Sequence, residues 1–525
     1  MKFFKKSLAV LLCMVTVFAT MAIGFTASAA MPNPVTEVYV NNVKLTNGKY
    51  LAVGSKTATT TKPSGGYAYF NTNKLYLHNY TFSLNDSKYT DGYGKKYRIY
   101  ADNGVLEIYF SGVNGLECND STGYTTYHDI YCYRGKVELY GNQDAVISLS
   151  GESYSVSATE GIWAECGTYN LQNGFEASAP QVTSESNISL IDGVFNVSGI
   201  GHKANNRITV HTGIHNFNCP TDYAVASQSG DVLIMGGTIN SVSGGFATLS
   251  NSGKVRIVGG RTNLTANSIA THGIFTQKLE MTEGYLKVTS GNKALYTAFE
   301  NIPANIKVTA STNQNGSGAV TYNASNNKNY KYFEAKSTNT YDVTINDGFK
   351  ETTTKAYYNE SIDAEPANIA GKKFTKWTLK GVHLSSRRQE TDTYIIFTMP
   401  KNAVTVTANL ETDTTTPVNG KTITVINGTA NVSKAATGAI VTIKADELEG
   451  KFFSHWEVTN ATVEDEDSAE TYITVGNGNV TAEAVYEDCP CKCHKGGIAG
   501  FFYKIVLFFQ KLFGNNKVCV CGAKH

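Results

Sequence analysis

The chain has 525 residues and carries 45 Lys and Arg against 44 Asp and Glu, a formal charge of +1 at pH 7. That balance excludes nucleic acid and an anionic membrane as main partners on charge grounds, since neither is held without a basic excess. Only ten prolines stand beside 31 tyrosines and 48 glycines, the composition of many strands joined by tight turns rather than of a helical protein.

Residues 1–29 read as a removable signal peptide. Lys2, Lys5 and Lys6 form its positive start, an apolar stretch runs from Leu8 to Phe25, and Ala27-Ser28-Ala29 supplies small residues for cleavage. Cys13 lies inside the apolar stretch, not at its end, which argues against a lipoprotein anchor. Removal takes three lysines and leaves 42 basic residues against 44 acidic ones. The mature chain is expected to be secreted or extracellular, in a cell-surface setting.

Residues 30–75 are expected to cap a repeat that fills 76–310. Its unit is an apolar residue, any residue, an apolar residue, two further residues and Gly. The copies are Tyr169/Leu171/Gly174, Ile188/Leu190/Gly193, Ile208/Val210/Gly213, Val232/Ile234/Gly237, Val255/Ile257/Gly260 and Leu279/Met281/Gly284. Weaker relatives begin at Leu106 and Val137. A period near two dozen is too short for a helix pair, and a propeller blade needs about 40–45 residues. It suits one coil of a solenoid, in which alternating apolar residues point inward and Gly permits the bend between faces. The fold class expected is therefore all-β: a right-handed parallel β-helix, two small β-modules and a short helical, Cys-rich tail. Units such as Val232-Leu-Ile-Met-Gly-Gly-Thr-Ile239 and Val255-Arg-Ile-Val-Gly-Gly-Arg261 resemble those of β-helical carbohydrate-binding proteins exported by gut Clostridia and their relatives. That resemblance implies an extracellular carbohydrate-binding role.

The Asn/Ser/Gly-rich stretch 311–338 reads as a linker. Beyond it Gly371-Lys-Lys-Phe374-Thr-Lys-Trp377 returns 79 residues later as Gly450-Lys-Phe-Phe453-Ser-His-Trp456. Val404-Thr-Val-Thr-Ala408 returns 76 residues later as Val480-Thr-Ala-Glu-Ala484. Two β-modules follow, 339–411 and 421–487, joined by a Thr-rich linker over 412–420. The first, with Phe397-Thr-Met-Pro400, resembles the divergent internalin-B-type repeat of Gram-positive surface proteins. The second has Thr474-Val-Gly-Asn in place of that element. In the family such modules act as stalks or spacers, and in places as adhesion surfaces. Trp377 and Trp456 offer indoles on which sugars stack, but a module of this size needs one large core residue, and the core is the expected place for both.

The tail 488–525 gathers Cys489, Cys491, Cys493, His494, Cys519, Cys521 and His525. Thiolates and imidazoles this close suit a tetrahedral zinc site, the one cofactor the sequence suggests, although the spacing is Cys-x-Cys rather than Cys-x-x-Cys; the alternatives are disulfides, which five cysteines would leave with one thiol over, and redox or covalent attachment chemistry. Between the clusters, 498–513 reads as an amphipathic helix of about 24 Å at 1.5 Å per residue. Lys504 and Lys511 fall on one side of it, which suits a membrane surface or the cell envelope.

Catalysis is the minority reading. Glycoside hydrolysis needs paired carboxylates, and calcium-dependent lyases need a carboxylate cluster. The repeats show no Asp-Asp pair and no aligned acidic stack, and Asp192 and Glu283 precede repeat glycines on distant coils. Gly201-His202-Lys203 with Arg207-Ile208 is faintly similar to polygalacturonase elements but lacks their aspartates. His211 and His215 are a second temptation; His215 takes the place of Phe195, Ile239 and Leu286 in other copies, which predicts an inward, packed ring. Cys132 and Cys166 are placed to stack, to bridge or simply to pack. No catalytic residue is named. The expected function is a non-catalytic extracellular protein that presents Tyr, Asn and Thr side chains to a glycan or a host surface. A passive stalk and a polysaccharide lyase or hydrolase are the alternatives.

Overall fold

The computed structural model describes residues 34–82, 87–116, 127–178, 186–413, 420–448 and 451–488. They fall into two compact units, divided between Lys336 and Ser337. Among the described residues every regular element is a strand except one 3-10 turn, Ala324–Asn329.

In the first unit the chain returns on itself in parallel rows. Ile162, Ile188, Ile208, Val232, Val255 and Leu279 lie in register, each row paired with the next. Two places on, Ala164, Leu190, Val210, Ile234, Ile257 and Met281 form a second column, and every member of both is buried. Period-2 alternation sends these residues inward and sets like on like at a strand spacing of about 4.8 Å. Each buried aliphatic side chain contributes roughly 1.5–3 kcal/mol, so the columns are the core. Two further ladders of the same kind complete each row. One runs through Val146–Leu149, Ile214–Cys219 and Tyr285–Ser290, the other through Tyr154–Ala158, Val225–Ser227 and Lys293–Leu295.

The repeat glycines stand where the ladder of Ile188 and Ile208 turns into that of Ile214–Cys219 and Tyr285–Ser290. Gly213, Gly260 and Gly284 have φ of 94°, 83° and 94°, which L side chains rarely adopt. A Cβ on Gly213 would lie 2.6 Å from the Gly193 carbonyl oxygen, and one on Gly260 would lie 2.5 Å from that of Gly237. Backbone of one row occupies the space a side chain would need in the next.

One copy of the repeat is out of phase with the others. Tyr169 pairs with Phe195, two places beyond Gly193, and the residues in register with Ile188 and Leu190 are Ile162 and Ala164. The corner glycine of that row is Gly167, beside Gly193, and not Gly174. An irregularity between Ala164 and Thr168, with Cys166 at φ 57°, inserts extra chain there. It lengthens the spacing, and the small Ala164 weakens the apolar signal.

Both ends of the stack switch to antiparallel pairing. At the start Lys49–Ala52, Tyr67–Asn71 and Lys74–His78 form a meander, and the last of these runs parallel to Lys96–Ser111. At the finish Tyr332–Ser337 lies antiparallel to Tyr285–Ser290, with Phe333 and Ala335 buried. The stretch 311–338, expected as a linker, thus contains the strand that covers the last row of one ladder. Its alternation of Phe333 and Ala335 with polar neighbours was outweighed in composition by the Asn- and Ser-rich turn before it.

In the second unit the two modules repeat one plan. Tyr341–Asn346 runs parallel to Val404–Thr412, which is antiparallel to Lys372–Lys380. Lys421–Ile426, Val480–Asp488 and Lys451–Thr459 pair in the same way. Trp377 is 0% exposed and donates from Nε1 to the Asp392 carbonyl at 2.9 Å; Trp456 is 2% exposed and donates to that of Ser468 at 3.0 Å. Both indoles are core residues. The modules touch: the Ala370 N–H donates to the Ile440 carbonyl at 2.9 Å, the Ile440 N–H donates to Asn368 at 2.8 Å, and Phe349 meets Tyr472 edge to face.

Candidate binding faces

Residues that point inward are packed away from any ligand, so the candidates are the outward columns. Two of these are laddered over four strands or more, and their chemistry differs; a shorter aromatic column joins Tyr39, Tyr100 and Tyr131.

The first is aromatic and charged. Tyr69, Tyr76, Tyr109 and Tyr140 lie in register across successive strands. Tyr76 and Tyr109 are stacked at 5.4 Å between ring centroids, Tyr109 and Tyr140 at 4.8 Å, and Tyr50 on Tyr69 at 4.0 Å. Stacking covers the ring faces with one another, so what projects is ring edges and hydroxyls, not platforms for a sugar. Two of the hydroxyls are occupied as well. Tyr109 donates to Glu107 at 2.9 Å, Tyr140 donates to Glu138 at 2.7 Å, and Lys74 donates to the Tyr109 oxygen at 3.1 Å. The hydrogen bond to Tyr109, and after it the one to Glu107, pushes the Lys74 ammonium well above its ordinary value. This column is a self-satisfied ion-pair and ring ladder.

The second is amidic and uncharged. Asn170, Asn196, Asn216, Asn240 and Asn263 lie directly over one another. Each amide Nδ2 donates to the Oδ1 of the residue one row before, at 2.9, 3.0, 3.2 and 3.1 Å in order, and Asn170 reaches Ser148 Oγ at 3.4 Å. One side of the ladder is lined by Val146, Thr168, Val194, Ile214 and Thr238, the other by Ser198, Asn218, Val242 and Thr265. None of these outward residues carries a charge; Arg261 and Lys287 mark where the uncharged rows end. Composition alone gives Asn and Thr as display residues but no positions for them. The signal was present, since an Asn stands three places after Gly167, Gly193, Gly213, Gly237 and Gly260. The out-of-phase copy Tyr169/Leu171/Gly174 masks the first instance.

The remaining sequence candidates are not brought into one site. His202 is buried and Lys203, its neighbour in the strand, points outward toward Glu176 at 3.4 Å, so the two lie on opposite faces. His215 is 0% exposed and stacked on Phe195 at 4.8 Å, which itself stacks on Tyr169 at 4.5 Å. The Phe175 N–H donates to His202 Nδ1, and His215 Nε2 donates to the Thr212 carbonyl. Burial pushes His202 down to about 3 and His215 to about 4. His211 is half-buried and is lowered by the same cause. Asp192 is buried, and its carboxylate accepts from the Gly193 N–H at 2.7 Å, a corner-fixing role. Cys132 and Cys166 are buried free thiols and do not bridge. Cys132 sits between Ala101 and Ala158 in a column of small inward residues, and burial pushes it up to about 12. The tail set Cys489, Cys491, Cys493, His494, Cys519, Cys521 and His525, with the helix expected over 498–513, lies outside the described residues.

A family model described as the divergent InlB B-repeat domain matches residues 341–414 and again 414–490. The two modules of the second unit are repeats of that type, the second included despite its altered Thr474-Val-Gly-Asn element. No curated protein and no solved structure matches the chain.

Proposed function

We propose that this protein is a non-catalytic, exported bacterial surface protein in which a right-handed parallel β-helix binds carbohydrate and two B-repeats serve as a spacer. The observation that carries the binding half is the uncharged asparagine face. Amides offer both a donor and an acceptor to sugar hydroxyls, and the adjoining Val, Ile and Thr give a flat, weakly apolar floor. Rows that repeat one set of groups suit a polymer, because weak contacts to successive units act together. The spacer half rests on the match to B-repeats and on the direct backbone bonds between the two modules. Export rests on residues 1–29 and on the occurrence of such repeats in surface or secreted proteins.

The test is a polysaccharide array and pull-down with the mature chain lacking residues 1–29, assayed in parallel for released reducing ends and unsaturated sugars. Saturable binding without release supports the proposal. Release of sugar shows a polysaccharide-active enzyme instead, and neither binding nor release leaves the stalk reading in possession.

A further inference from the structure

We infer that the ligand is a neutral, extended polysaccharide that lies across the rows, parallel to the stacking axis, along the ladder Asn170–Asn196–Asn216–Asn240–Asn263; this rests on the carbohydrate-binding reading above. Three observations converge on it. An amide nitrogen has two N–H groups and an amide oxygen two lone pairs. Within the ladder each interior Asn spends one N–H and one lone pair on its neighbours. The second of each is directed away from the ladder bond, so every row offers one further donor and one further acceptor. These pairs recur at the strand spacing of about 4.8 Å. An extended, equatorially linked pyranose chain advances by nearly the same interval per sugar, so successive units meet equivalent amides when the chain runs along the stack. A chain laid along a strand would meet one Asn in most rows and two, Asn216 and Asn218, in the richest.

Charge fixes the class of polymer. Between the row of Val146 and that of Thr238, which hold four of the five asparagines, the face has no cation to pair with a uronate, sulfate or phosphate; Arg261 and Lys287 stand only at its end, beside Asn263. Desolvating an unpaired anion there would cost more than an amide hydrogen bond returns. The opposite case is visible in the same unit. On the ladder that holds the tyrosines, Lys254, Arg256 and Lys278 all approach Glu280, at 3.2, 3.1 and 2.9 Å.

The experiment titrates the mature chain with neutral β-linked oligosaccharides, from disaccharide to octasaccharide, and with oligogalacturonides of matching length. Expected is binding of a neutral series that strengthens by roughly tenfold or more as the oligomer comes to span the five asparagines, then levels off. That binding should hold from about 50 to 500 mM salt, where screened charge contacts are lost. The triple variant Asn196→Ala/Asn216→Ala/Asn240→Ala should lose it. Val242→Lys is the second variant, because Val242 is 43% exposed at the edge of the face; its long side chain should obstruct the ladder without touching the core. Preference for the anionic series, or neutral binding unchanged in both variants, overturns this inference and leaves the carbohydrate reading standing. Failure of every saccharide to bind overturns both.

Discussion

The stack and the B-repeats solve the same problem, burial of a β-sheet core, in opposite ways. In the stack a core residue has near-copies of itself above and below, as Ile188, Ile208 and Val232 do. In a B-repeat the core centres on one residue with no copy, Trp377 or Trp456. Redundancy also explains why the long outer ladders belong to the stack: a side chain repeated in register meets its own kind at hydrogen-bonding distance. The first B-repeat has only a short column of this kind, Thr353, Thr344 and Thr405, with the first two hydroxyls 2.9 Å apart, and neither B-repeat shows a comparable column of amides among the described residues.

This contrast predicts where damage spreads. Trp377→Ala should cost about 3–5 kcal/mol, enough to unfold the first B-repeat, while the 1–336 unit keeps its melting transition; two-transition calorimetry reads both. A loss of both transitions together would show that the units are not independent in stability. Next is the buried ion pair at the start of the stack, where Arg98 Nε donates to Asp129 at 3.2 Å with both side chains fully buried. Asp129→Ala should cost about 3–5 kcal/mol, because it strands a buried guanidinium. That is a stack position without a copy, so it should behave as a B-repeat core residue does.

Acid should single out the stack. His128, His202 and His215 are buried and held down to about 4, 3 and 4. Above pH 6.5 folded and unfolded chains both carry them neutral, and their contribution is full. As pH falls from 6.5 toward 4 the unfolded chain binds protons that the folded one refuses, so stability declines, by up to roughly 3 kcal/mol per histidine. His215→Phe, which continues the ring column of Phe195, should shrink the loss of urea stability between pH 7.5 and 5. An equal loss in the variant would place the acid sensitivity elsewhere. The smallest effect belongs to the ladder itself. Asn216→Ala removes two amide bonds at the surface, one exposed and one part-buried, and should cost no more than about 0.5–1.5 kcal/mol, a shift of a few degrees at most in melting temperature.

Much of the architecture was legible because glycine and inward aliphatics recur for steric reasons that any row must obey. His215 was placed correctly by its phase, and the two tryptophans by module size. What escaped were departures from the period. The irregularity at Glu165–Cys166 shifted one copy by several residues, and with it the phase that reveals the asparagines. The tyrosine stack was not legible as a ladder because Tyr50, Tyr69 and Tyr76 come from antiparallel hairpins, whose pairing depends on turns such as Thr72-Asn73, both at positive φ, rather than on a repeat length.

The antiparallel strands at the two ends of the stack have a consequence for how such a chain changes over generations. Both ends are sealed by segments that lie outside the repeat, so the number of rows between them is not tied to either seal. Duplication or loss of the segment between two corner glycines, such as 238–260, joins equivalent backbone to equivalent backbone. Such a chain can lengthen or shorten its outer face one rung at a time, a ruler whose span is set by gene duplication rather than by redesign.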